Sequence, residues 1–146
     1  MQKIAVTLGE PAGIGPDLGV MLTEKGYFNK NIVVLTDPDL LFASAKKLKK
    51  TISINILKNI SSKTFSEKNL VNILPIKLNT KNIPGRMNPQ NASFVVNAIQ
   101  EAANLCLKKK CSAMVTGPIS KSVLNDGGYP ISGHTCLLYT SDAADE

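Results

Sequence analysis

The sequence has no tryptophan, one histidine, and only three Tyr and four Phe in 146 residues. Its acidic residues are also in deficit, so the formal net charge is +6 and a nucleic-acid partner comes to mind. The cations, however, fall in KKLKK (46–50) and KKK (108–110), each at the end of an expected helix. There they complement the helix dipole. No aromatic side chains are interleaved with them, so no nucleic acid is expected as partner. A dock for small phosphorylated molecules remains compatible with the charge. The lone histidine, His134, excludes a His-rich metal site built from this polypeptide alone. Cys106, Cys111 and Cys136 form no C-x-x-C pair, and Cys106 and Cys111 are expected to be buried apolar fillers. No apolar run approaches the roughly 20 residues of a membrane span. The opening MQKIAVTLGE has no signal-peptide h-region, so a cytoplasmic protein is expected.

What is present is an alternation of short apolar runs and amphipathic stretches. KIAVTL (3–8), NIVVLTD (31–37) and SAMVTG (112–117) read as buried strands, and TISINIL (51–57) as a strand with one wetter face. VNILPI (71–76) is a further strand candidate in the less decided stretch 58–86. Pro16 and Asp17 are good helix starters, and the helix they open should stop at Gly26. Asp37 is expected to cap a second helix carrying LLFASAKKLKK. The longest helix is expected over 88–110, capped by Asn88, with Phe94, Ala98, Ala102 and Leu105 as its apolar stripe. Pro118 is expected to start a last helix, ended by Gly127 and Gly128. This pattern predicts one α/β unit with a mostly parallel sheet flanked by helices.

In such folds ligands bind outside the carboxyl ends of strands. Three glycine-bearing loops are expected there. GEPAGIGP (9–16) has the spacing G-x-x-x-G-x-G, neither a Rossmann nor a Walker A loop, and serves equally well as an anion cradle or a tight structural turn. TGPISK (116–121) puts Lys121 near a helix start, which suits an anion but also describes a solvated lysine. SGHT (132–135) holds His134 in a polar loop, with the Thr135 hydroxyl beside it.

Four segments in order, VTLGEPAGIGPD (6–17), PGRMNPQNA (84–92), AMVTGPISK (113–121) and LNDGGYPISGHT (124–135), resemble the PdxA family of 4-hydroxythreonine-4-phosphate dehydrogenases. The resemblance runs from Met1 to Thr135. It implies a fold like that of isocitrate and isopropylmalate dehydrogenases, here truncated. It implies a homodimer and a role in pyridoxal phosphate (vitamin B6) biosynthesis. The implied reaction is NAD-dependent oxidation of 4-phosphohydroxythreonine to a 3-keto acid, which loses carbon dioxide to leave 3-amino-2-oxopropyl phosphate. A divalent metal (zinc, magnesium or cobalt) is implied as well, with ligands beyond this chain. By the same resemblance His134 and Thr135 bind substrate, and Lys121 is a possible cleft or anion contact.

After Thr135 the family pattern stops, and CLLYTSDAADE (136–146) has the character of a non-native tail. The expectation is therefore an incomplete N-terminal portion over 1–135, inactive alone. Two alternatives stay open: a dehydrogenase of four-carbon sugar-acid phosphates in the same family, and a non-catalytic module that binds a phosphorylated metabolite.

Overall fold

The structure, a computed structural model, describes residues 2–130. Five strands, β1 (Ile4–Thr7), β2 (Ile32–Thr36), β3 (Ser53–Ile56), β4 (Leu70–Pro75) and β5 (Ala113–Thr116), form one sheet in the order β3-β4-β2-β1-β5. Every pairing is parallel, as the alternation of elements requires. The central strands are buried on both faces and are correspondingly rich in Val, Ile and Leu.

Helices α1 (Gly15–Glu24) and α2 (Pro38–Lys47) cover one face. Val6, Val34, Val71 and Ile73 pack there against Val20 of α1 and Leu41 of α2. Helix α3 (Ala92–Leu107) covers the other face, where Ala5, Val33 and Leu35 meet Ala102, Leu105 and the buried Cys111. All four stripe residues, Phe94, Ala98, Ala102 and Leu105, are buried. Cys106 is only half-buried, so it fills less than expected. Beyond β2 the α3 side is covered without a helix. Asn72 of β4, fully buried, accepts from the Phe65 N–H and donates to the Phe65 carbonyl, both at 3.0 Å. Asn55 of β3 also donates to Asn72 at 2.9 Å. One carboxamide thus fastens the segment around Phe65 over the sheet.

Two helix starts differ from expectation. Asn88 does cap, accepting from the Gln90 N–H at 2.9 Å, but it caps a 3-10 turn, Pro89–Asn91, that leads into α3. Pro118 does not open a helix. Its carbonyl is taken by the Glu10 N–H at 2.9 Å, so it cannot serve a helical turn. The helix α4 (Lys121–Asp126) starts three residues later, capped by Ser120, which accepts from the Val123 N–H at 3.3 Å.

One region of the α1 face is open. Val115 is in register with Val6 and so shares that face, yet it is 55% exposed on the edge strand β5. Ile14, the residue before α1, and Leu18 and Met21 at helical spacing after it, are exposed too. Among the described residues no helix is long and apolar enough to cross a membrane.

Candidate functional site

The chain runs from β1 to β2 on one side, then returns to place β5 on the other side of β1. The carboxyl ends of β1 and β5 are therefore the switch point of the sheet, where a doubly wound fold opens its crevice. GEPAGIGP follows β1 and TGPISK follows β5, so two of the three expected loops meet here. SGHT, with His134 and Thr135, and the tail with Cys136 lie outside the described residues.

Three glycines in these two loops, Gly9, Gly15 and Gly117, serve close packing. Gly117 donates its N–H to the Thr7 carbonyl at 2.7 Å. Gly9 has φ +78°, and a Cβ on it would fall 2.1 Å from the Pro118 carbonyl oxygen. Cβ atoms on Gly15 and Gly117 would fall 1.7 Å and 2.5 Å from the carbonyl oxygen of Leu8. Backbone lies on backbone, which only glycine permits. This accounts for Gly9 and Gly15 of GEPAGIGP as parts of a structural turn. The α4 start is likewise closed by its own Ser120 cap. Lys121 is exposed as the first residue of α4 and is not among the residues that line the cleft described next.

A third segment, 78–88, is stitched onto the first loop. Asn82 Nδ2 donates to the Pro11 carbonyl at 2.9 Å, and the Gly85 N–H donates to the Ala12 carbonyl at 2.8 Å. Asp37 does two jobs: one oxygen caps α2 through the Asp39 N–H at 2.9 Å, and the other accepts from the Leu78 N–H at 3.0 Å. Between this segment, the GEPAGIGP loop and the start of α2 lies a cleft of about 600 Å³. That volume suits a small-molecule site. Asp17 and Lys47 stand in its wall as an ion pair at 2.9 Å that ties α1 to α2. Burial pushes the Asp17 carboxyl up, but the Ser44 hydroxyl and the Lys47 ammonium outweigh it and hold it below its ordinary range. The lining carries Asp17, Asp37 and Asp39 against Lys47 and Lys81, so it is not a cationic pocket.

Glu10, in the GEPAGIGP loop directly before the cleft-lining Pro11, is buried at 5% exposure. Burial pushes its carboxyl above the ordinary range, only partly offset by the Ala12 N–H it accepts at 3.1 Å. Among the described residues no group of His, Cys, Asp and Glu is arranged to hold a metal ion. Glu10, Asp37 and Asn82 were not singled out as site-builders from sequence. Glu10 alone had a signal, a carboxylate directly after a strand in a glycine turn.

The comparisons with known proteins agree with this architecture. The family model for pyridoxal phosphate biosynthetic protein PdxA matches residues 28–145. The 4-hydroxythreonine-4-phosphate dehydrogenase of Methylococcus capsulatus is 38% identical over 133 residues, 91% of this chain and 40% of the relative. That of Wigglesworthia glossinidia brevipalpis is also 38% identical, over 94% of this chain and 41% of its own length. The chain thus spans about two-fifths of the length of these relatives. Among solved structures, 4-hydroxythreonine-4-phosphate dehydrogenase from Klebsiella pneumoniae aligns with TM-score 0.88 at 25% identity. The alignment covers 97% of this chain and 44% of that one. The enzyme from Burkholderia phymatum aligns with TM-score 0.87 at 23% identity, a likeness of fold covering all of this chain and 45% of that one.

Proposed function

Because this chain belongs to the PdxA family of pyridoxal phosphate biosynthetic proteins, we propose that residues 1–135 are the N-terminal portion of a 4-hydroxythreonine-4-phosphate dehydrogenase. In this reading residues 136–146 are a non-native tail. The longer enzyme oxidises the secondary alcohol of 4-phosphohydroxythreonine. NAD, held largely by residues beyond this chain, would supply the hydride acceptor, and the hydroxyl proton would leave to solvent or a base. The resulting 3-keto acid breaks its carboxyl bond, releases carbon dioxide, and leaves 3-amino-2-oxopropyl phosphate after protonation.

His134 and Thr135 bind the substrate and hold it in the reactive orientation. Lys121 adds a cleft or anion contact from the start of α4. The described residues do not fit a divalent metal, so no step is assigned to one here. Its ligands, and much of the NAD site, belong to chain beyond this one. The longer enzyme works as a soluble cytoplasmic homodimer.

The observation that carries the reading is the convergence of the β1 and β5 loops at the switch point, in a chain whose relatives bear this name over nine-tenths of its length. A second consequence concerns the open α1 face. In the longer protein, returning chain covers Val115, Leu18 and Met21 and completes the sheet beyond β5.

The test is an assay of the longer gene product with NAD and 4-phosphohydroxythreonine. The expected result is equimolar NADH and carbon dioxide, with kcat/KM falling about a hundredfold in His134→Ala. Turnover of a four-carbon sugar-acid phosphate instead, or full activity in the variant, overturns the assignment.

A further inference from the structure

A second depression lies on the α3 side of the sheet and shares no residue with the cleft described above. It encloses about 570 Å³ between α3 and the turn that follows β3. Its floor is apolar, with Ile60 and Leu105 both buried there. Its rim is cationic and amide-rich. Lys58 comes from the turn, while Lys108 and Lys110 come from the chain just after α3. Asn59, Asn97, Gln100 and Asn104 fill the spaces between them, and Glu101 is the one carboxylate in the lining.

Three features point to a ligand. First, none of the three ammonium groups has an ion-pair partner among the described residues, where the pairs are Lys47–Asp17 and Lys50–Glu24. Three ammonium groups beside the single carboxylate of Glu101 leave an excess of positive charge, which an anion would relieve. Second, the turn is held in shape. Ser62 Oγ accepts from the Lys58 and Asn59 N–H groups, each at 3.2 Å, and the Lys3 ammonium donates to the Ile60 carbonyl. Third, an apolar floor under a few convergent polar groups, in this volume range, is how small-molecule sites are built.

We propose that this groove binds a small multiply charged anion of the phosphorylated-metabolite class. The phosphoryl oxygens meet Lys58, Lys108 and Lys110, the carboxamides meet its hydroxyl or amide groups, and its body rests on Ile60 and Leu105. The proposal does not depend on the dehydrogenase reading.

The test is calorimetric titration of the protein with inorganic pyrophosphate at fixed ionic strength. Lys58→Gln and Lys110→Gln are compared with Lys46→Gln, a control on α2. All three lysines are exposed, so the substitutions leave the core untouched. Saturable single-site binding is expected, weakened roughly tenfold by Lys58→Gln and by Lys110→Gln, kept in Lys58→Arg, and unchanged in the control. Absence of saturation, or equal loss in the control, overturns it. So does binding of a duplex oligonucleotide with a steep salt dependence while pyrophosphate fails to bind.

Discussion

Gly15 lies so close to Leu8 that a methyl group placed on it would sit 1.7 Å from the Leu8 carbonyl oxygen. The helix α1 therefore begins hard against the end of β1, and the geometry of the whole switch point hangs on that contact. Gly15→Ala should destabilise the fold by about 1–3 kcal/mol through forced backbone displacement. Gly13→Ala, in the same loop, meets its nearest neighbour at 3.4 Å and should be tolerated. Urea unfolding of both variants checks this. Equal stability for the two would show that the loop yields more easily than its packing implies.

Glu10 sets a pH dependence. Its folded-state pKa lies above its ordinary value of 4.5. The stability it contributes is complete below that ordinary value and is lost as pH rises through the raised folded value. Glu10→Gln keeps an acceptor for the Ala12 N–H but removes the ionisation. The variant should match the parent in acid and become more stable than it towards neutral pH. Thermal melts across that range give the comparison, and a variant less stable at neutral pH would assign Glu10 a partner for its charge.

Asn72 holds the Phe65 segment by its own side chain. Asn72→Val suits a strand but leaves the Phe65 N–H and carbonyl without their partner. A loss of about 1–3 kcal/mol follows, together with faster proteolysis in residues 58–66. Unchanged cleavage there would mean that the segment is held by something else.

Much of this architecture was legible in the residues, but SAMVTG, read as a buried strand, is the half-exposed edge strand β5, because its apolar run does not show that among the described residues it has a neighbour on one side only. Val33, Val34 and Leu35 read as a doubly buried strand because nothing but the interior suits them. Asp37 read as a cap because its side chain acts on the adjacent backbone. Pro118 misled because its carbonyl is claimed by Glu10, more than a hundred residues earlier in the chain. The Asn82 stitch to Pro11 is likewise long-range, whereas the Asn72 clamp reaches only seven residues back to Phe65, and in both cases a carboxamide gives no local sign of its partner. Glu10 sits in a glycine turn whose sequence gives no sign of burial, and only the folded loop shows it buried. His134 and Thr135 were named by resemblance and lie beyond the described residues.

The open α1 face predicts the behaviour of this chain expressed alone. Val115, Leu18 and Met21 should drive self-association, aided by the edge of β5 that is unpaired among the described residues. Dye binding to exposed apolar surface and a concentration-dependent sedimentation profile are expected, and Leu18→Lys with Val115→Lys should reduce both. A monodisperse sample with a sharp cooperative melt would contradict this.

The claim beneath all of this is that the chain is the first part of a longer dehydrogenase. The most direct measurement is to amplify the source locus and read it past the codon for Thr135. The account predicts an open frame that departs from CLLYTSDAADE at once and continues for more than this chain's own length, with further histidines in glycine-bearing loops. A genuine stop codon after Glu146 would contradict the account.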